Sequence, residues 1–118
     1  MSLIAFSLVF PMEAMVGKIP ESLIVQVADE VTTINDCEHL AVCVTVPLDE
    51  VESAQQSGIT QPQQLALHIL RQWVKKDRQG ATVSKLLRAF NKPENKRLRY
   101  LTEVLKHHLE KKGNSFQV

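Results

Sequence analysis

Apolar residues recur at helical spacing through most of the chain, interrupted by short stretches that carry proline, glycine and small polar residues. Leu23, Val27 and Val31 form an i, i+4, i+8 row beside Ile24 and Ala28, which places one apolar stripe on a first helix. Pro20 suits its first turn, where a missing N–H removes no helical hydrogen bond. Cys37, Leu40, Ala41 and Val44 repeat at i, i+3, i+4, i+7, and Asn35 and Glu38 have the cap-to-N3 spacing of a capping box. Pro47 opens a short third helix, with Asp49 and Glu50 at its positive end and Leu48, Val51 and Ala54 predicted to face inward. Val42, Val44 and Val46 alternate and are β-branched, so residues 40–46 also fit a strand. The flanking caps and Pro47 favour two short helices over that strand.

Ser57-Gly58-Ile59 reads as a turn, and Thr60-x-x-Gln63 as a capping box for the strongest helix. That helix carries Leu65, Ala66, Ile69, Leu70, Trp73 and Val74, with Leu67 on a second side, an arc wide enough to touch several neighbours. Arg78-Gln79-Gly80 ends it. Thr82 caps a fifth helix with Val83, Leu86, Leu87 and Phe90 on one face. Asn91-Lys-Pro-Glu94 breaks the chain before a last helix bearing Leu98, Leu101, Leu105, His108 and Leu109, with Gly113 as its expected stop. Six helices on short turns make an all-α, antiparallel six-helix bundle. It is expected to occupy residues 18–112, between an N-terminal extension or linker (1–17) and a disordered tail (113–118). The predicted core includes Leu40, Leu70, Trp73, Leu86, Leu87 and Leu101.

Composition agrees with this pattern and removes several alternatives. Aromatic residues are 5% of 118, so the core is aliphatic. Two cysteines, Cys37 and Cys43, are too few for a secreted disulfide framework and read as reduced thiols of a cytoplasmic domain. The apolar opening stretch has no basic n-region before Pro11, which argues against a signal peptide. No apolar run reaches the roughly 18–20 residues of a membrane-spanning helix, so no membrane contact is expected. Hydrolase, metalloprotease, thiol-redox and phosphate-loop motifs are absent, and adjacent His107 and His108 point to different helix faces. The expectation is a protein that is not an enzyme, with no cofactor and no metal.

Charge adds a clue about partners. Residues 1–60 hold one basic and nine acidic residues, whereas residues 61–118 hold thirteen basic and four acidic ones. The two halves therefore carry net charges of −8 and +9. An acidic patch of Asp36, Glu38, Asp49, Glu50 and Glu52 is expected to face a basic patch of Arg71, Lys75, Lys76, Arg78, Lys85 and Arg88 on another molecule. Unlike patches on one chain favour head-to-tail contacts and open arrays.

One stretch carries a family resemblance. Leu70-Arg-Gln-Trp73, the charged turn to Gly80, Ala81-Thr82 and the pair Leu86-Leu87 resemble helices four and five of death domains, those of the Fas-associated adaptor type above all. Leu40-Ala41 with Val44 to Glu52 is similar to the family's passage from helix two to helix three. Gly17-Lys-Ile-Pro-Glu21 resembles the start of the death domains of netrin-receptor-like proteins. Two positions depart from the family: Asp36-Cys37 stands where many members have a tryptophan, and Thr45 stands where a glycine is common after helix two. The resemblance implies a Greek-key helix order and homotypic or heterotypic binding to other death-domain proteins in apoptotic or innate-immune signalling. A different class, a helix-turn-helix-like nucleic-acid binder, would use residues 82–105 with Lys92, Lys96, Arg97 and Arg99 toward phosphates. The acidic first half argues against it, and no nucleic-acid partner is expected. The terminal Phe116-Gln117-Val118 also has the pattern of a peptide that adds to a PDZ sheet edge.

Overall fold

The structure, a computed structural model, describes residues 16–117, with side chains through residue 111. The expectations for residues 1–15 and 118, and for side chains beyond residue 111, lie outside the described residues. Six α-helices account for most of the rest: α1 (Glu21–Asp29), α2 (Ile34–Cys43), α3 (Leu48–Gln56), α4 (Pro62–Asp77), α5 (Val83–Phe90) and α6 (Thr102–Gln117). Two 3₁₀ segments join them, Arg78–Gly80 between α4 and α5 and Pro93–Leu101 between α5 and α6. Among the described residues there is no strand, only an isolated antiparallel bridge between Lys18 and Thr82.

Helix α4 is the hub. It packs against α1, α2 and α3, while α6 closes on α1 and α5. Leu65, Ala66, Ile69, Leu70 and Trp73 of α4 are all buried, which is the wide apolar arc read from the sequence. Of the six predicted core residues, Leu40, Leu70, Leu86 and Leu101 are fully shielded, and Trp73 and Leu87 nearly so. The alternation at Val42 to Val46 does not make a strand. Helix α2 runs to Cys43, Val44 and Val46 turn into the core, and Val42 is left 62% exposed.

The helix ends show where local signals were read correctly and where they were not. Thr82 caps α5 as expected, its hydroxyl accepting the Lys85 N–H at 3.1 Å. For α2 the cap is Thr33, which accepts the Asp36 N–H at 3.0 Å, not Asn35. Starting there puts Asp36 at the third helical position, and Cys37, Leu40 and Ala41 are buried with it. The Thr60–Gln63 capping box does not form. Pro62, with its preset φ, begins α4 instead, behind Gln61 as an N-cap without a side-chain bond. Leu48 is the first residue of α3 and remains 46% exposed rather than facing inward.

The single last helix expected after Asn91 is two elements. Residues Pro93–Leu101 wind as 3₁₀ with a kink at Asn95 (φ −105°, ψ 23°), where the Asn95 side-chain amide donates to the Ala89 carbonyl at 2.7 Å. The tighter winding keeps Leu98 and Leu101 on one buried side, since i and i+3 eclipse in a 3₁₀ turn. Helix α6 then continues through Gly113 to Gln117, where a stop and a disordered tail are expected. A glycine inside a helix costs only about 1 kcal/mol against alanine and need not end it.

Candidate functional site

Two charged surfaces were expected to be separate, and the fold redistributes them. Asp36 is not part of an open acidic face. It is only 7% exposed, and its carboxylate accepts from Arg97 Nε at 2.5 Å and from the Tyr100 hydroxyl at 2.9 Å. Burial alone would raise its pKa, but the Arg97 and Tyr100 hydrogen bonds outweigh it and hold Asp36 below its ordinary value. The Tyr100 phenol is pushed upward by burial and by donating to that carboxylate. This trio ties α2 to the 3₁₀ segment across sixty-odd residues of chain, so no local pattern could reveal it.

Glu50 is also engaged within the molecule, for its Oε1 accepts from Lys76 at 2.6 Å. One member of the expected acidic patch thus meets one member of the expected basic patch in the same chain. Lys85 pairs with Asp77, and Arg71 pairs with Glu21 at 2.7 Å. Arg88 reaches Ser84 at 3.5 Å along its own helix. Of the expected patches, what remains exposed and outside the ion pairs of the described residues is Glu38, Asp49 and Glu52 on α2 and α3, and Lys75, Arg78 and Arg88 on α4, its C-cap and α5.

Lys75 and Arg78 belong to a larger feature. A groove of about 920 Å³ lies between α4 and the segment leading into α1, lined by Lys18, Glu21, His68, Arg71, Lys75 and Arg78 among others. Positions 68, 71 and 75 fall on one face of α4 by their i, i+3, i+7 spacing. Arg78 extends that line beyond the helix end with a positive φ of 35°. Lys18 forms the facing wall. Its backbone is fixed by the bridge to Thr82 and by the Ile19 N–H donating to the Ala81 carbonyl at 2.9 Å. Sequence reading missed Lys18 and His68 as groove residues. The α4 spacing contains a signal for His68, but only the tertiary bridge places Lys18.

A second, smaller hollow of about 260 Å³ is lined by Cys43, Trp73, Lys85 and Arg88 among others. Burial pushes the thiols of Cys37 and Cys43 each up to about 11, so neither is a ready nucleophile. Cys37 instead donates to the Pro62 carbonyl at 3.1 Å. Among the described residues no group of His, Cys, Asp and Glu side chains is placed to hold a metal ion, and no helix is long and apolar enough to cross a membrane. No family model, curated protein or solved structure matches the chain.

Proposed function

We propose that this module acts by binding modules of its own kind, head to tail, as an interaction domain of death-domain type working in cytoplasmic signalling. The observation that carries the reading is the pair of unlike surfaces left after internal pairing. Glu38, Asp49 and Glu52 stand exposed on α2 and α3, and Lys18, Lys75 and Arg78 stand around the α1–α4 groove. Unlike surfaces on one chain are satisfied by a heterologous contact, which leaves a free face at each end and propagates. Complementary charge also steers the encounter and rejects partners with the wrong pattern.

Two features support the family part of the reading. The block from Leu70 to Leu87 that resembles death domains spans the second half of the hub helix, its turn and the capped start of α5, with Trp73 buried. Thr45, where the family commonly has glycine, holds a left-handed φ of 58°, the conformation glycine adopts without strain.

The test is a pair of charge reversals at residues that make no internal ion pair. Asp49→Lys damages the acidic face and Lys75→Glu the basic one. Each variant alone is expected to sediment as a monomer at low salt, with an unchanged helical circular-dichroism spectrum. An equimolar mixture has one intact acidic face and one intact basic face, and is expected to regain association that neither variant shows alone. Assembly of both single variants at the wild-type level would overturn the reading.

A further inference from the structure

We infer that the groove between α4 and the segment leading into α1 is a binding site for a compact polyanion bearing at least three closely spaced phosphates. Four cationic side chains, Lys18, Arg71, Lys75 and Arg78, line it against one carboxylate, Glu21. That carboxylate is already held by Arg71, at 2.8 Å to Nε and 2.7 Å to Nη2. The groove thus carries a net charge of +3 from these five groups, a balance that a single monoanion leaves unsatisfied. Its volume of about 920 Å³ lies within the roughly 300–1,000 Å³ of small-molecule sites.

The cations line one groove from two elements, α4 with its C-cap and the segment before α1. The α4 wall is a rigid helix, and the Lys18 wall is pinned to the α4–α5 connection by the Lys18–Thr82 bridge. Arginine provides a planar fork for phosphate oxygens, and lysine a mobile point charge, so the set suits clustered phosphates. An incoming phosphate competes with Glu21 for the Arg71 guanidinium, which exchanges an exposed ion pair worth little for a charge-dense ligand. The second hollow has cations of its own in Lys85 and Arg88. It is less than a third as large, and its Lys85 is bound to Asp77, which also lines it. It therefore provides an internal control.

The ligand meets one molecule, but Lys18, Lys75 and Arg78 also belong to the proposed basic assembly face, so ligand and neighbouring molecule compete for the groove. The phosphates can sit on a soluble scaffold or on a lipid headgroup, and the two sources separate experimentally. Calorimetry of the full chain with inositol hexakisphosphate, at roughly 0.15 M salt where the screening length is about 8 Å, is expected to show one site. The double variant Lys75→Gln/Arg78→Gln is expected to lose at least tenfold in affinity. The double variant Lys85→Gln/Arg88→Gln is expected to keep wild-type affinity, and circular dichroism should show both folded.

A parallel sedimentation arm uses vesicles containing phosphatidylinositol 4,5-bisphosphate, with phosphatidylserine vesicles of matched charge as the control. Binding to bisphosphate vesicles alone, lost in the α4 double variant, assigns the groove to the lipid source. Equal loss in the two double variants, or binding no tighter than to sulfate at the same ionic strength together with no preference for bisphosphate vesicles, overturns the inference. Tighter binding to a short DNA duplex than to hexakisphosphate overturns it too. Hexakisphosphate binding that leaves assembly intact would keep this site and remove the groove from the assembly face.

Discussion

Tyr100 is the only tyrosine in the chain, which makes the Asp36–Arg97–Tyr100 trio directly observable. Its phenol donates to a carboxylate, so ionising it would put two negative groups in contact. The folded-state pKa lies above the ordinary 10.0. Stability from this group is therefore fully present below pH 10 and is lost as pH rises through the elevated native value. Spectrophotometric titration of phenolate absorbance is expected to show ionisation well above 10.0 in the folded protein, returning to about 10 in denaturant. Asp36 has the opposite sign. Its native pKa lies below 3.8, so its contribution is complete above that value and disappears as acidification passes through the depressed native value. Asp36→Ala removes both bonds and leaves the Tyr100 hydroxyl without its acceptor. It is expected to cost about 2 kcal/mol in urea unfolding at neutral pH, in line with hydrogen bonds to a charged group. Arg97→Ala removes a half-exposed partner and is expected to cost less, about 1 kcal/mol.

At the scale of elements, the ends of α2 and α3 are built alike and with different residues. After α3, the N–H of Gly58 donates to the Gln55 carbonyl at 3.1 Å and that of Ile59 to the Ala54 carbonyl at 3.1 Å, around a left-handed Gly58. After α2, Thr45 donates to Val42 at 3.2 Å and Val46 to Ala41 at 2.8 Å, with Thr45 in the left-handed position. A β-branched residue there bears a strain of about 1–2 kcal/mol that glycine does not. Thr45→Gly gives back part of this through a freer unfolded chain. It is expected to stabilise the domain by about 0.5–1 kcal/mol, measured by thermal or urea unfolding. The apolar stripes of α1, α4 and α5 were legible in the sequence because each is a local repeat long enough to define one face. The cap of α2 was read two residues late, at Asn35, because Asn and Thr are both good cap residues; the Thr33 hydroxyl takes the Asp36 N–H. The 3₁₀ segment escaped notice because Leu98, Leu101 and Leu105 fit either winding. Its kink depends on Asn95 reaching the Ala89 carbonyl, which no repeat records.

At the scale of the whole molecule, the division of charge along the chain works partly inside the fold. Glu21–Arg71, Asp36–Arg97 and Glu50–Lys76 each join an acidic residue of the first half to a basic residue of the second. The sequence division was legible, but its use was not, because pairing across such distances depends on which helices α4 and the 3₁₀ segment touch. Of the two expected patches, internal pairing leaves Glu38, Asp49 and Glu52 on α2 and α3, and Lys75, Arg78 and Arg88 on α4, its C-cap and α5. Salt then separates the two uses of charge. The internal pairs are mostly exposed and worth about 0–1 kcal/mol each, so screening should change unfolding free energy little. Intermolecular contact rests on the unpaired charges and on encounter steering, both of which fall off within a screening length that shrinks from about 10 Å at 0.1 M to 3 Å at 1 M. Between those concentrations, sedimentation is expected to show self-association collapsing to monomer while the urea midpoint moves only slightly. Parallel loss of stability and assembly would instead mean that salt acts on the fold itself, and the assembly faces would have to be sought among exposed apolar residues such as Val42 and Leu48.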